Sequence, residues 1–178
     1  MKKLGRRGFI KKSTLTAAAI SSTPFLSSCV DNNPSRRNGI YMGAFAASKL
    51  STVRAAFIGV GHRGKDHLKF FSSLPNTEVV GISDLYEENV IQMRKLVKEA
   101  AGENRHPTIA EYWGDENKWR VMLEETKPDV VFIATNWKNH APMAIGTMER
   151  GAHAFVEVPL AVTIEDLWKI VYSSESTQ

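Results

Sequence analysis

Hydrophobic and polar positions over residues 51–178 alternate between two periods. The run "VRAAFIGV" (53–60) is short, apolar and bounded by glycine, as a buried strand is, while "RGKDHLKFFSSL" (63–74) has helical spacing that turns Leu68 and Phe71 toward a core. The pair then recurs. "TEVVGISD" (77–84) predicts a second strand and "EENVIQMRKLVKEAAG" (87–102) a second helix stopped by Gly102. Residues 103–116 show no regular period. Beyond them come a helix in "NKWRVMLEET" (117–126), a strand in "DVVFIAT" (129–135), a helix in "APMAIGTMERG" (141–151) and a strand in "HAFVEV" (153–158). Short apolar strands alternating with helices predict an α/β fold, a doubly wound parallel sheet covered on both faces. The last run suits a central strand, yet it contains Glu157 and is stopped by Pro159. A carboxylate in such a place needs a partner, because burying it unpaired costs several kcal/mol.

The final segment, "TIEDLWKIVYSSESTQ" (163–178), reads as an amphipathic helix that reaches Gln178 without a Gly or Pro stop, so the chain is expected to be a fragment. The other end carries a different pattern. Residues 1–50 hold nine Lys/Arg against the single acid Asp31, whereas residues 51–178 carry a balance of −4, so the overall +4 belongs to the N-terminus. A basic face for nucleic acid is not expected on the folded part. "MKKLGRRGFIKKS" followed by "TLTAAAISSTPFLSSC" has the layout of an export signal, and "RRGFIK" resembles the twin-arginine type. "LSSC" resembles a lipobox ending at Cys29, the one cysteine of the chain, which excludes an internal disulfide or zinc-thiolate site. The expected organisation is a signal over 1–29, a flexible tether over 30–50 and a nucleotide-binding domain over 51–178. The expected place is the periplasm or cell envelope, with the membrane touched only through a lipid on Cys29.

The turn after the first strand is "GVGHRG", with Gly59, Gly61 and Gly64 in the spacing G-x-G-x-x-G. It follows a strand, opens a helix, and is answered by Asp84 at the end of the second strand. Each position has a physical reason. Gly59 permits the tight turn, Gly61 lets backbone approach a pyrophosphate, and Gly64 lets helix pack on strand. The helix N-terminus offers unpaired N–H groups to the anion, and Arg63, with His62 beside it in the same turn, adds charge there. Asp84 can accept from both ribose hydroxyls and would repel a 2′-phosphate. The fold is therefore expected to be Rossmann-type and the cofactor NAD, with FAD left open by the fingerprint alone. No histidine stands at metal-ligand spacing from a second ligand, and no metal is expected. Trp113, Trp119 and Trp168 read as packing aromatics.

Together, "VRAAFIGVGHRG", "VVGISDLYEENV" and "VFIATNWKNHAPMAIGTMERGAHAFVEVPLAVTIEDLW" resemble the N-terminal half of a Gfo/Idh/MocA-type protein, and most nearly glycoside hydrolase family 109, the NAD-dependent α-N-acetylgalactosaminidases. The resemblance implies that Trp137, Lys138, Asn139 and His140 lie around NAD, although Asn136 and Asn139 stand where the family more often has Pro and Trp. It also implies that Glu157 and Val158 line the nicotinamide end. Sugar dehydrogenases of the wider superfamily carry E-K-P there, with the lysine serving in proton transfer. Family 109 is similar but carries E-V-P.

What the resemblance implies chemically is redox-assisted cleavage: hydride leaves the sugar C3, the acidified C2 proton is removed, the C1 oxygen is eliminated, water adds, and hydride returns. The substrate would be a glycan ending in α-linked N-acetylgalactosamine. No catalytic residue is assigned, since base and sugar-binding groups are expected in an α/β substrate domain after Gln178, and the fragment alone is expected to be inactive. Two alternatives stand beside this reading: an exported NAD-dependent sugar oxidoreductase, and a non-catalytic NAD-binding remnant. A homo-oligomer is compatible with all three.

Overall fold

The computed structural model describes residues 45–102, 105–106 and 108–177. The expected signal peptide, Cys29 and most of the tether lie outside the described residues. Among the described residues ten elements alternate strictly: β1 (Val53–Ile58), α1 (His62–Ser73), β2 (Thr77–Ser83), α2 (Glu87–Ala101), β3 (Ala110–Tyr112), α3 (Lys118–Thr126), β4 (Val130–Ile133), α4 (Trp137–Met148), β5 (His153–Val156) and α5 (Ile164–Ser176). The five strands form one sheet in the order β3-β2-β1-β4-β5, every pair parallel. Strand order therefore runs outward from β1 in both directions. The crevice opens where it reverses, at the carboxyl ends of β1 and β4.

Alternation along each strand sorts the core into two layers. Ala55 and Phe57 of β1 face Leu68 and Phe71 of α1 and Val90, Met93 and Val97 of α2. Ala56 and Ile58 face Trp119, Met122 and Leu123 of α3 and Met143 and Ala144 of α4. Both faces of the sheet are covered, which is why β1, β2 and β4 read as continuous apolar runs instead of alternating ones. The β1–β2 register shifts between Ala55 and Ala56, leaving Val80 without a partner in the ladder. Val80 and Gly81 consequently both turn toward α3, where a Cβ on Gly81 would lie 2.9 Å from Met122.

Three differences from the sequence reading have local causes. β3 falls in the stretch without a period, because three half-buried residues, Ala110, Glu111 and Tyr112, are too few to show one. α4 starts at Trp137, four residues before the apolar run that marked it, and keeps Pro142 inside. Residues 137–140, Trp-Lys-Asn-His, carry no apolar run of their own, so only the stretch from Ala141 marked the helix. β5 is an edge strand among the described residues, with His153 and Phe155 exposed, and is not the central strand its apolarity suggested. Glu157 lies just beyond it, although its N–H still donates to the Ile133 carbonyl at 2.9 Å.

Two further contacts position the frame. His106, wholly buried, accepts from the Val79 N–H at Nδ1 (3.1 Å) and donates from Nε2 to the Ser72 carbonyl (3.1 Å), so it staples the start of β2 to the end of α1. At the opposite end of the sheet from the crevice, the Phe45 ring lies 5.8 Å from that of His153, which brings the last part of the expected tether against β5. Among the described residues no helix is long and apolar enough to cross a membrane.

Candidate cofactor site

The glycine turn is built by contacts that exclude side chains. Gly59 has φ +79°, and a Cβ there would lie 2.7 Å from the Ala134 carbonyl oxygen. A Cβ on Gly64 would lie 1.9 Å from the Gly59 carbonyl oxygen, so α1 rests directly on the turn. Gly61 differs: a Cβ there meets nothing within 4 Å. It caps α1 without any side-chain hydrogen bond to the first N–H groups of the helix, which leaves them available to an anion.

Gly61 borders a cavity of about 460 Å³ at the carboxyl ends of β1, β2 and β4. Gly59, Gly61, Asp84, Lys138 and Asn139 line it, together with Tyr86, Asn89, Asp115, Glu116 and Thr135. Asp84 is held by three donors. Its Oδ2 accepts from the Val60 N–H at 2.8 Å, and its Oδ1 accepts from the Tyr86 N–H at 3.1 Å and the Asn89 side-chain amide at 3.0 Å. A carboxylate offers about four acceptor positions, so the freest one is left on Oδ2. The fit to a dinucleotide is physical: open backbone for a diphosphate at one end, and an oriented carboxylate for a ribose at the other.

The remaining expected residues form a second group. Trp137 is exposed and borders a shallow groove with Thr135, Asn136 and Lys138. His140 is buried under the cavity and does not line it. Its Nδ1 lies 2.7 Å from the Pro159 carbonyl oxygen and its Nε2 3.1 Å from that of Thr135. His62 and Arg63 sit in the first turn of α1, exposed, outside the cavity. Arg63 donates to Glu157 Oε1 at 3.1 Å, and His67 Nε2 lies 2.6 Å from the same oxygen. The partner that Glu157 needs is therefore on α1. Its carboxyl is held below the usual carboxylate range, first by the bond to His67, then by the Val158 N–H, with Arg63 adding to both. Val158 is 79% exposed, the most exposed large apolar side chain among the described residues.

Sequence reasoning missed Tyr86 and Asn89, which orient Asp84, and Asp115 and Glu116 at the cavity wall. Asn89, five residues after Asp84 in the first turn of α2, carried a readable signal. Asp115 and Glu116 carried none, since they follow the strand that had no visible period.

A parallel sheet of order 3-2-1-4-5 with a glycine turn and an acidic residue at the crevice defines an NAD-binding Rossmann domain. Over residues 53–178 the chain matches the profile of the Gfo/Idh/MocA oxidoreductase family, NAD-binding Rossmann fold, and it belongs to that family. It is 39% identical over 177 residues to a glycosyl hydrolase family 109 protein of Shewanella pealeana, covering 99% of this chain and 38% of that protein. To glycosyl hydrolase family 109 protein 2 of Akkermansia muciniphila it is 43% identical over 145 residues, covering 82% of this chain and 30% of that one. The chain thus spans well under half the length of these relatives. Among solved structures, the myo-inositol dehydrogenase of Lactobacillus casei with NAD(H) and myo-inositol superposes at TM-score 0.56 and 23% identity, over 68% of this chain and 33% of that one. The WlbA dehydrogenase of Chromobacterium violaceum with NADH and UDP-GlcNAcA does so at TM-score 0.58 and 20% identity, over 76% and 36%. Both similarities concern the fold.

Proposed function

We propose that this chain is the cofactor-binding part of an NAD-dependent glycosidase acting on α-N-acetylgalactosaminides. The observation that carries the reading is Val158. The E-V-P turn presents a hydrocarbon, 79% exposed, at the position where sugar dehydrogenases of the superfamily resemblance carry a proton-transferring lysine. A net dehydrogenase needs an acid–base group beside the substrate hydroxyl, and valine supplies none. Identities of 39% and 43% to proteins named glycosyl hydrolase family 109 favour the same choice.

In this reading bound NAD would supply a hydride acceptor that returns what it takes. The chain's own residues hold and orient it. The α1 N-terminus and Arg63 take the pyrophosphate, Asp84 takes a ribose, and Trp137 to Asn139 with Glu157 and Val158 border the nicotinamide end, while His140 holds the Thr135 and Pro159 carbonyls from beneath. An enzyme that ends each cycle with its cofactor restored suits a compartment without a nucleotide supply. The paired Arg6–Arg7 and the Leu26–Cys29 stretch support export and a lipid anchor on Cys29.

The test is an assay of the natural polypeptide containing this chain on an aryl α-N-acetylgalactosaminide, with absorbance followed at 340 nm and the cells labelled with palmitate. Expected are release of the aryl alcohol without accumulating NADH, and a label that Cys29→Ser removes. Stoichiometric NADH from free sugar without glycoside cleavage would overturn the reading in favour of a sugar oxidoreductase. Tight NAD binding with neither reaction would favour a non-catalytic protein.

A further inference from the structure

His67 lies outside the glycine fingerprint, one turn into α1, yet it makes the shortest contact to the E-V-P turn. Its side chain is three-quarters buried between two aromatic rings, Phe132 of β4 at 6.1 Å and Phe155 of β5 at 6.0 Å. From that slot Nε2 reaches Glu157 Oε1 at 2.6 Å, while Glu157 Oε2 accepts the Val158 N–H at 3.2 Å. Arg63 shares Oε1 at 3.1 Å, but its side chain is 62% exposed and also lies 3.7 Å from Asp66. Two groups therefore hold one oxygen on unequal terms. The imidazole is packed between the two rings and mostly shielded from solvent. The guanidinium is solvated, its exposed ion pair costs little to break, and it stands beside the turn that receives the pyrophosphate.

The turn is gripped from the other face as well. His140 of α4 holds the Pro159 carbonyl at 2.7 Å, so residues 157 and 159 are pinned from opposite sides of the sheet while Val158 between them projects outward. Pinning both neighbours fixes where the exposed residue points.

We propose that His67 is a positioning residue: through Glu157 it locks the Glu157–Pro159 turn to the dinucleotide-binding turn, and it keeps that lock when Arg63 leaves the carboxylate for the cofactor's pyrophosphate. The inference rests on NAD lying along Gly59–Gly64 and not on the glycosidase reading. A dinucleotide spans both turns, so their spacing sets whether its two ends can be satisfied together.

The test is NAD titration of the 178-residue chain and its variants by calorimetry, with amide and methyl NMR of Val158 recorded before and after NAD. H67A is expected to weaken NAD about tenfold and to shift and broaden the Val158 signals before any NAD is added. H67Q, whose amide can reach Glu157 from the place of Nε2, is expected to restore affinity to within about threefold. E157Q/H67A is expected to bind no more weakly than H67A. R63A is expected to weaken NAD but leave the Val158 signals of the free chain in place. If H67A does not fold, H67Q and E157Q carry the comparison. Unchanged Val158 signals in H67A overturn the proposal, and so does an H67Q variant as impaired as H67A with the same fall in melting temperature, since that marks packing alone. Should the wild-type chain fail to bind NAD, the cofactor assignment to this turn fails, while the Val158 signals of free wild type and H67A still decide whether the lock exists.

Discussion

Two glycines three residues apart separate stability from binding. At Gly64 an added Cβ would lie 1.9 Å from backbone at Gly59, which no side-chain rotation relieves. Gly64→Ala is expected to destabilise the fold by about 3 kcal/mol, the upper part of the range for overpacking, as measured by urea unfolding. At Gly61 the same methyl group meets nothing. Gly61→Ala should therefore change stability by less than about 1 kcal/mol and yet weaken NAD, because the methyl occupies the room left for the diphosphate. Equal effects of the two variants on unfolding would show that the opening at Gly61 has another cause. The fingerprint gives the two glycines different tasks, and the distances separate them along the same line.

At the level of elements, β3 is the weakest piece by length, three residues paired to β2 alone. A side-chain contact fastens it to α3: the Tyr112 hydroxyl donates to Glu125 Oε2 at 2.5 Å. Burial, followed by the bond and charge of Glu125, raises the Tyr112 hydroxyl from 10.0 to about 12. The sign follows from linkage. Since the folded value lies above the unfolded one, this stabilisation is whole below pH 10 and is lost as pH rises through 12. The expected result is a phenolate absorbance that appears late for one tyrosine, and a Tyr112→Phe variant whose stability falls less steeply between those limits. A Tyr112 that titrates with the exposed tyrosines would show that the contact is not held in solution. The same scale explains α4. Trp137 to His140 form its first turn, so the sequence TNWKNH is a loop at its start and a helix at its end. That geometry sends Trp137 out to solvent and His140 inward beneath Pro159.

For the whole molecule, the crevice predicts a stability linkage. A ligand that binds the folded state alone adds about 2.7 kcal/mol at a hundredfold excess over Kd, so NAD should raise the melting temperature of this chain. NADP should raise it less, since Asp84 is oriented by Val60, Tyr86 and Asn89 toward the cavity that Asp115 and Glu116 also line. Asp84→Ala is expected to reduce the NAD effect and bring the two cofactors together. Equal shifts for both in the wild type would mean that the carboxylate does not select. Exposed Val158, Ile164, Leu167 and Val171 complete the molecular surface near the turn and along α5.

What the sequence by itself determined is the periodic frame and the dinucleotide turn. Short apolar runs identify β1, β2 and β4, and G-x-G-x-x-G followed by Asp84 identifies a dinucleotide turn suited to NAD, because these signals are local: each needs only the spacing of neighbours along the chain. The tertiary structure alone decided which residues share a space. Glu157 reads as an anomaly in an apolar run until α1 is laid across the sheet, ninety residues away in sequence from His67 and 2.6 Å from it in space. His106, in a stretch with no period, becomes a buried staple only when α1 and β2 meet around it. Pairings of that kind depend on how the crossovers place helices over strands, and a one-dimensional pattern does not encode the partner across the sheet.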